Sequence, residues 1–292
     1  MMGKGSVMMV DDLAKYLTTK QAAQVRVWLG NVEVIRDLSW NLTDTIVLRL
    51  RSDQRDIILK TGGAGNHHIS RELQAHRRYT GTLKSLGLAA GMLFHDEKLR
   101  LMVLEYLPGT LCVGTCHEYS PDIYHQAGAA LKVFHQQTQH FDHHYESRLT
   151  EKFRHLLSLQ HRISRNHCQQ MERILGAYLP RGVVLVPTHG DWQPRNWLVE
   201  EGRLRVIDFG RFDFRPPASD FARLASQQFK ELPALESAFL EGYGEDPRQE
   251  PAWSIMLLRE AVGTAIWAYE VGDDEFEAQG HQMIHEALAR FE

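Results

Sequence analysis

Cysteine is scarce. Three in 292 residues cannot all pair within one chain and are far too few for a disulfide scaffold, so a reducing, cytoplasmic compartment is the default. Long apolar runs are missing too. No stretch approaches the roughly 18 consecutive apolar residues of a membrane span. Near the N-terminus the run Val7-Met8-Met9-Val10 is cut off by Asp11 and Asp12, short of the about 7–15 apolar residues of a secretory signal. A basic surplus is also absent: 33 Lys and Arg face 37 Asp and Glu, a net charge of −4. Neutralising phosphates needs a basic surface, so nothing here supports nucleic-acid binding. There is no internal repeat and no low-complexity linker. The expectation is a soluble cytoplasmic protein, monomer or homodimer, with neither a nucleic acid nor a membrane as partner.

What is present is ample core material, 43% hydrophobic residues in a chain about twice a typical domain length. The charges are unevenly placed. From Arg215 to Glu292 there are 15 acidic and 6 basic residues, a net of −9, and the remainder of the chain carries +5. Such asymmetry is expected either of two surfaces with different ligands or of a solvated acidic face.

The first third is patterned as strands. Val32–Trp40 is one candidate, and Thr45–Arg51 another, with Ile46, Leu48 and Leu50 on one face. After the turn Ser52–Arg55, Asp56–Lys60 is a short apolar strand ending in lysine, and Gly62, Gly63 and Gly65 break the chain. Ile69–Leu83 is expected to be helical. Arg100–Tyr106 is a further strand, stopped by Pro108-Gly109. Helices dominate the rest. Ser120-Pro121-Asp122 combines a side-chain N-cap, proline at the first helical position and an acid at the positive end of the dipole, predicting a helix to about Gln137. A second helical region spans Thr150–Leu179, Val183–Val186 is a buried strand, and Trp197–Val199 and Leu204–Ile207 form a hairpin around Glu201-Gly202.

Two segments carry chemistry: Thr188–Asn196, which reads Thr-His-Gly-Asp-Trp-Gln-Pro-Arg-Asn, and Val206–Gly210, which reads Val-Ile-Asp-Phe-Gly. Each sets an acid beside strand-like runs, where a loop presents it. Asp191, Asn196 and Asp208 together supply only oxygen ligands or acceptors, a set suited to a hard cation such as Mg²⁺ bridging phosphates. Phosphoryl transfer uses such a metal together with a carboxylate that orients the attacking hydroxyl.

These two segments resemble the catalytic and metal loops of kinases, in the His-Gly-Asp form of aminoglycoside phosphotransferases and choline-kinase-like enzymes. The resemblance implies an α+β, two-lobed protein-kinase-like fold, with an antiparallel-sheet N-lobe (1–107) binding nucleotide and a mainly helical C-lobe (108–292) carrying the catalytic loop, metal site and acceptor region. It implies a small-molecule kinase using ATP and Mg²⁺. Asp191 would orient and deprotonate the acceptor hydroxyl, and Asn196 and Asp208 would hold metal. Lys60, paired with Glu72, would position the α- and β-phosphates, while the backbone of Glu105 and Leu107 would meet the adenine. Ala130–His135 and Pro217–Ala222 match further family segments, the latter with a structural Asp220.

The chain also departs from that pattern. The loop Ser39-Trp40-Asn41-Leu42-Thr43-Asp44 has no glycine, so Ser39, Asn41 or Thr43 would donate side-chain bonds where backbone amides usually approach the triphosphate. Gln193 stands where protein kinases carry lysine, and no Ala-Pro-Glu segment follows, which argues against protein-kinase activity. The acidic C-terminal excess suggests a cationic acceptor, an amino-alcohol or aminoglycoside-like antibiotic. Asp273, Asp274, Glu275, Glu277 and Glu292 are candidates to bind its ammonium groups, with Glu260 and Glu270 behind them, and Arg195 could add charge near the phosphates. A nucleotide-binding pseudoenzyme or ligand-binding regulator of the same fold is the alternative, and a metal-dependent hydrolase leaves Lys60 unexplained. Zinc is set aside: His281 and His285 lack the glutamate of a zinc protease, and His140, His143 and His144 have no partner at zinc-finger spacing.

Overall fold

The computed structural model describes residues 12–40, 44–63 and 65–292. In chain order the first stretch gives helix α1 (Thr19–Leu29), strands β1 (Glu33–Asp37), β2 (Ile46–Ser52) and β3 (Arg55–Thr61), helices α2 (His67–Arg78) and α3 (Gly81–Ser85), and strands β4 (Met92–Asp96), β5 (Leu101–Glu105) and β6 (Thr110–Leu111). There follow α4 (Pro121–His135), β7 (His140–Asp142), α5 (Tyr145–Ser158), α6 (Arg165–Ala177), β8 (Val183–Thr188), β9 (Trp197–Glu200), β10 (Arg203–Val206) and β11 (Asp213–Arg215). Helices α7 (Ala222–Ser226), α8 (Gln228–Glu231), α9 (Pro233–Tyr243), α10 (Ala252–Val271) and α11 (Asp274–Ala289) come last. The chain groups into two compact units, Met1–Thr115 with Pro194–Phe212, and Cys116–Gln193 with Asp213–Glu292. The architecture is α+β and two-lobed, sheet-rich in the first unit and mainly helical in the second.

The first unit is built on a five-stranded sheet of order β1-β2-β3-β5-β4, antiparallel at each pairing. Side chains alternate across a strand. Leu48, Leu50, Ile57, Leu59, Leu101 and Val103 therefore share one face, where they bury against Ala22 and Val25 of α1. Met102 and Leu104 point the other way and pack with Ile69 and Leu73 of α2, with Ile58 packed against them. Lys60 lies two residues beyond Ile58, so the same alternation sends its ammonium toward α2.

The hairpin β9–β10 belongs to this unit as well. Glu201 and Gly202 both have positive φ, 50° and 74°, the two-residue turn geometry that suits strand twist. The hairpin pairs with β6 to form a three-stranded sheet, and Val206 N donates to Leu88 O at 2.7 Å.

In the second unit β8 is flanked by β7 and β11. Helix α4 lies so close to α9 that a Cβ at Gly128 would run into the carbonyl of Phe239, and one at Gly242 into the carbonyl of His125. Helices α10 and α11 bury Leu258, Val262, Ala265, Ile284 and Leu288 together with Phe153 and Met171 of α5 and α6.

Three local expectations are corrected. The helix foreseen over Ile69–Leu83 starts at His67, capped by Asn66, whose Oδ1 accepts from His68 N and Ile69 N. It ends at Arg78, and the chain restarts as α3 once Tyr79 has stacked on Phe212 at 5.2 Å. The region Thr150–Leu179 is two helices, the second started by Ser164, whose hydroxyl accepts from His167 N. Ser120 holds the N-cap position of α4 with proline following, but its side chain makes no cap bond.

Candidate functional site

The nucleotide-facing candidates lie in the first unit. Lys60 is 7% exposed and Glu72 only 2%. The Lys60 ammonium donates to both oxygens of Glu72, at 2.8 and 3.0 Å, and to Oδ1 of Asp208 at 3.2 Å. Burial works against the ammonium, but the charges of Asp208 and Glu72 outweigh it and hold Lys60 above its ordinary value. Burial likewise opposes ionisation of Glu72, yet Lys60 and the His76 hydrogen bond hold its carboxyl below the usual range. The group is thus a fixed cation held between two carboxylates.

Asp208 sits in the left-handed region, φ 64° and ψ 70°, a conformation for which aspartate is among the more tolerant residues. Its side chain is 53% exposed. Phe209 is buried, edge-on to His76 at 5.4 Å, and His68 Nδ1 donates to Gly210 O at 3.0 Å. These contacts tie the Asp208 loop to the helix that bears Glu72. Asn196, 5% exposed, closes the short turn Pro194–Asn196. Its carbonyl accepts from Ile207 N at 3.0 Å, so the hairpin register places Asn196 and Asp208 at the same open end. A carboxylate and an amide there are hard oxygen donors, and they fit a Mg²⁺ ion. Among the described residues no group of three or more His, Cys, Asp or Glu could hold a metal.

The remaining candidates on this side differ in standing. Ser39 Oγ accepts from Val47 N at 3.0 Å, within the strand framework, while Asn41 and Thr43 lie outside the described residues. Trp40 is 52% exposed, and the Arg195 guanidinium lies 6.0 Å from its ring centroid. Glu105 ends β5, where its Oε2 accepts from Gly91 N at 2.7 Å. The Leu107 side chain packs onto the cluster of Ile69 and Leu73.

Asp191 belongs to the second unit and is 5% exposed. Its loop is fixed from behind by Asp220, which accepts from His189 N at 2.8 Å and Gly190 N at 2.6 Å and faces His135 Nε2 at 3.0 Å. Burial opposes the Asp220 charge, but His135, His189 and the Gly190 N–H together hold this carboxyl below its ordinary range. Gln193, Arg223 and Glu260 form a chain of contacts from Asp191, and of the three only Arg223 was missed in the sequence. Gln193 Nε2 donates to its Oδ1, Arg223 Nε lies 3.0 Å from the same oxygen, and Arg223 Nη2 lies 3.0 Å from Glu260 Oε1. The only sequence signal for Arg223 was its place three residues after Asp220, one helical turn on.

The acidic acceptor candidates prove to be largely engaged at home. Asp273 is the N-cap of α11, accepting from Phe276 N at 3.0 Å. Glu277 is 4% exposed, bonded to Arg162 and close to His281, and Asp274 pairs with Arg162 as well. Acids in a first turn complement the helix dipole, which is why they cluster there. Glu260 is bound by Arg223. Glu275 and Glu292 are exposed.

The chain thus has a buried lysine–glutamate pair beside a loop aspartate in one unit and a braced His-Gly-Asp loop in the other. The sequence model of the phosphotransferase enzyme family matches residues 35–253. The chain belongs to that family. It is a small-molecule kinase, and its fold has the expected relatives. The choline kinase LicA of Streptococcus pneumoniae superposes with a TM-score of 0.64 at 17% identity, covering 92% of this chain and 97% of that one. A thermostable mutant of the aminoglycoside phosphotransferase APH(4)-Ia, in ternary complex with ADP and hygromycin B, gives 0.67 at 14% identity, covering 93% and 98%. The macrolide 2'-phosphotransferase MphH of Brachybacterium faecium gives 0.57 at 16% identity, covering 92% and 98%. No curated protein sequence matches the chain.

Proposed function

We propose that this phosphotransferase moves the γ-phosphoryl group of ATP to a hydroxyl of a small molecule, with Asp191 taking the hydroxyl proton. The observation that carries the reading is the buried Lys60 ammonium, held by Glu72 and reaching Asp208. A lysine core gains nothing structurally from two carboxylates that a hydrophobic trio would not match, whereas a fixed cation serves to grip phosphates. Lys60 presents its charge to the α- and β-phosphates, and Glu72 prevents it from turning away. The backbone of Glu105 and Leu107 would meet the adenine, and Ser39, Asn41 and Thr43 are the residues of the glycine-free loop that would donate to the triphosphate. Asn196 and Asp208 would hold Mg²⁺, which when bound neutralises phosphate charge. Asp191 accepts the proton as the hydroxyl oxygen bonds to phosphorus and the bond to the β-phosphate oxygen breaks, leaving ADP and a phosphate ester. Positioning and charge supply most of the rate in such transfers.

Nucleotide handling is assigned to 1–107 and acceptor binding to 108–292, in the cytoplasm. The acceptor is a hydroxyl compound bearing ammonium groups, an amino-alcohol or aminoglycoside. The support is the net −9 of Arg215–Glu292 and the presence of a choline kinase and a hygromycin B complex among structures of this fold. Of the acceptor candidates, Glu275 and Glu292 lie on the exposed surface, while Asp273, Asp274 and Glu277 act mainly on α11.

The test is a Mg-ATP phosphorylation panel of aminoglycosides, macrolides, choline, ethanolamine and sugars. Asp191→Ala is expected to abolish transfer while Mg-ATP still binds, and Asp208→Ala to weaken both. Wild-type turnover in Asp191→Ala would overturn the assignment of Asp191.

A further inference from the structure

The loop Thr188–Gln193 contains no lysine or arginine, so a cation beside Asp191 has to come from another segment. It comes from the turn that already braces the loop. Asp220 holds the backbone N–H groups of His189 and Gly190. One helical turn later, Arg223 reaches the Asp191 side chain. The stem of this arm is rigid: Phe221 and Leu224 are 0% exposed and Ala222 5%. The guanidinium has a carboxylate on each side, with Nε on Asp191 and Nη2 on Glu260 of α10, both at 3.0 Å.

An exposed ion pair of this length would count for little. Here, however, the Asp191 side chain is 6% exposed and that of Arg223 19%, so screening is weak. Two nitrogens of the planar fork lie against different carboxylates, so the guanidinium is held from both sides. Gln193 Nε2 donates to one oxygen of Asp191, and Arg223 Nε lies 3.0 Å from that same oxygen as an ion pair, so the two together restrain rotation of the carboxylate about its Cβ–Cγ bond.

We propose that Arg223, steadied by Glu260, is a positioning residue for phosphoryl transfer that fixes the orientation of the Asp191 carboxylate. The inference rests on the reading of Asp191 given above. Arg223 acts through Asp191 and Glu260 acts through Arg223, so loss of either affects the transfer step rather than nucleotide binding.

The experiment measures Mg-ATP turnover with water as acceptor, reading kcat and KM for ATP separately. Arg223→Ala is expected to lower kcat by about 10- to 100-fold, the scale of a misplaced reacting group, with KM for ATP within about twofold. Guanidinium or methylguanidinium added at millimolar concentration should restore part of kcat to Arg223→Ala and none to Asp191→Asn. Arg223→Lys should retain more activity than Arg223→Ala, and Glu260→Gln should lose only a few-fold. If Arg223→Ala is poorly folded by circular dichroism, Arg223→Lys and Glu260→Gln carry the same test. An unchanged kcat in folded Arg223 variants, or equal losses in kcat and ATP affinity without guanidinium rescue, overturns the proposal. Asp191→Asn run in parallel separates the two readings: if it keeps wild-type turnover, the role of Asp191 fails, whatever Arg223 does.

Discussion

At the scale of single residues, the Lys60 ammonium is the clearest case of function set against stability. Both Lys60 and Glu72 are withdrawn from water, so each depends on the other for its charge to be tolerated. Removing one partner of a buried pair leaves an uncompensated charge, at a cost of about 3–5 kcal/mol. Glu72→Ala is therefore expected to destabilise the protein on that scale in urea unfolding, and to weaken nucleotide binding in calorimetry. The same logic separates the acids of α11. Glu277 is buried against Arg162, so Glu277→Gln should lower the melting temperature clearly, whereas Glu275→Gln, at an exposed site, should lower it only slightly, by the loss of one dipole contact. An increase in acceptor KM confined to Glu275→Gln would mark that residue as the one facing ligand.

Among the elements, α4 and α9 depend on two glycines. Gly128 and Gly242 each face the backbone of the opposite helix without room for a Cβ. Gly128→Ala or Gly242→Ala would force the helices apart, an overpacking cost of about 1–3 kcal/mol, measurable as a lower urea midpoint. Because α4 also carries His135, the bond to Asp220 would loosen and turnover should fall more than stability alone explains. The patterned elements were legible before the structure. Leu48 and Leu50 alternate in β2, Ile69 and Leu73 share a stripe in α2, and the Glu201-Gly202 turn announces the hairpin. The break in the helix after Arg78 was not legible, because it follows from Tyr79 stacking on Phe212, a residue 133 positions away. Similarly, the glycines of α4 and α9 read as weak helix positions until each was seen against its neighbour.

For the molecule as a whole, titration bounds the stable range. Asp220 and Glu72 are held below their ordinary carboxyl values of 3.8 and 4.5. A depressed carboxyl contributes stability that is complete above its unfolded value and lost as pH falls through its folded one. On the alkaline side, burial pushes Tyr145 and Tyr178 from 10.0 up to about 12. Those hydroxyls stay neutral when folded, so their contribution is complete below pH 10 and lost as pH rises from 10 toward 12. Urea midpoints measured across pH should be level in the neutral range and fall below about pH 4 and above about pH 10, and Tyr145→Phe should flatten the alkaline fall.

Local chemistry was within reach of the sequence. The order of His-Gly-Asp, Asn196 and Asp208, the lysine one residue before the end of β3 and the glutamate of α2 are short-range patterns set by strand alternation and helical spacing, and they were enough to indicate the family and fold. What tertiary structure decided is the partner of each charge. Arg223 meets Asp191 from 32 positions away, Arg162 reaches Glu277 across 115, and Asp273, Asp274 and Glu277, which looked available for an ammonium ligand, cap and pin α11. Net charge counts residues, but only folding determines which carboxylates already have a cation within 3 Å and which still face solvent.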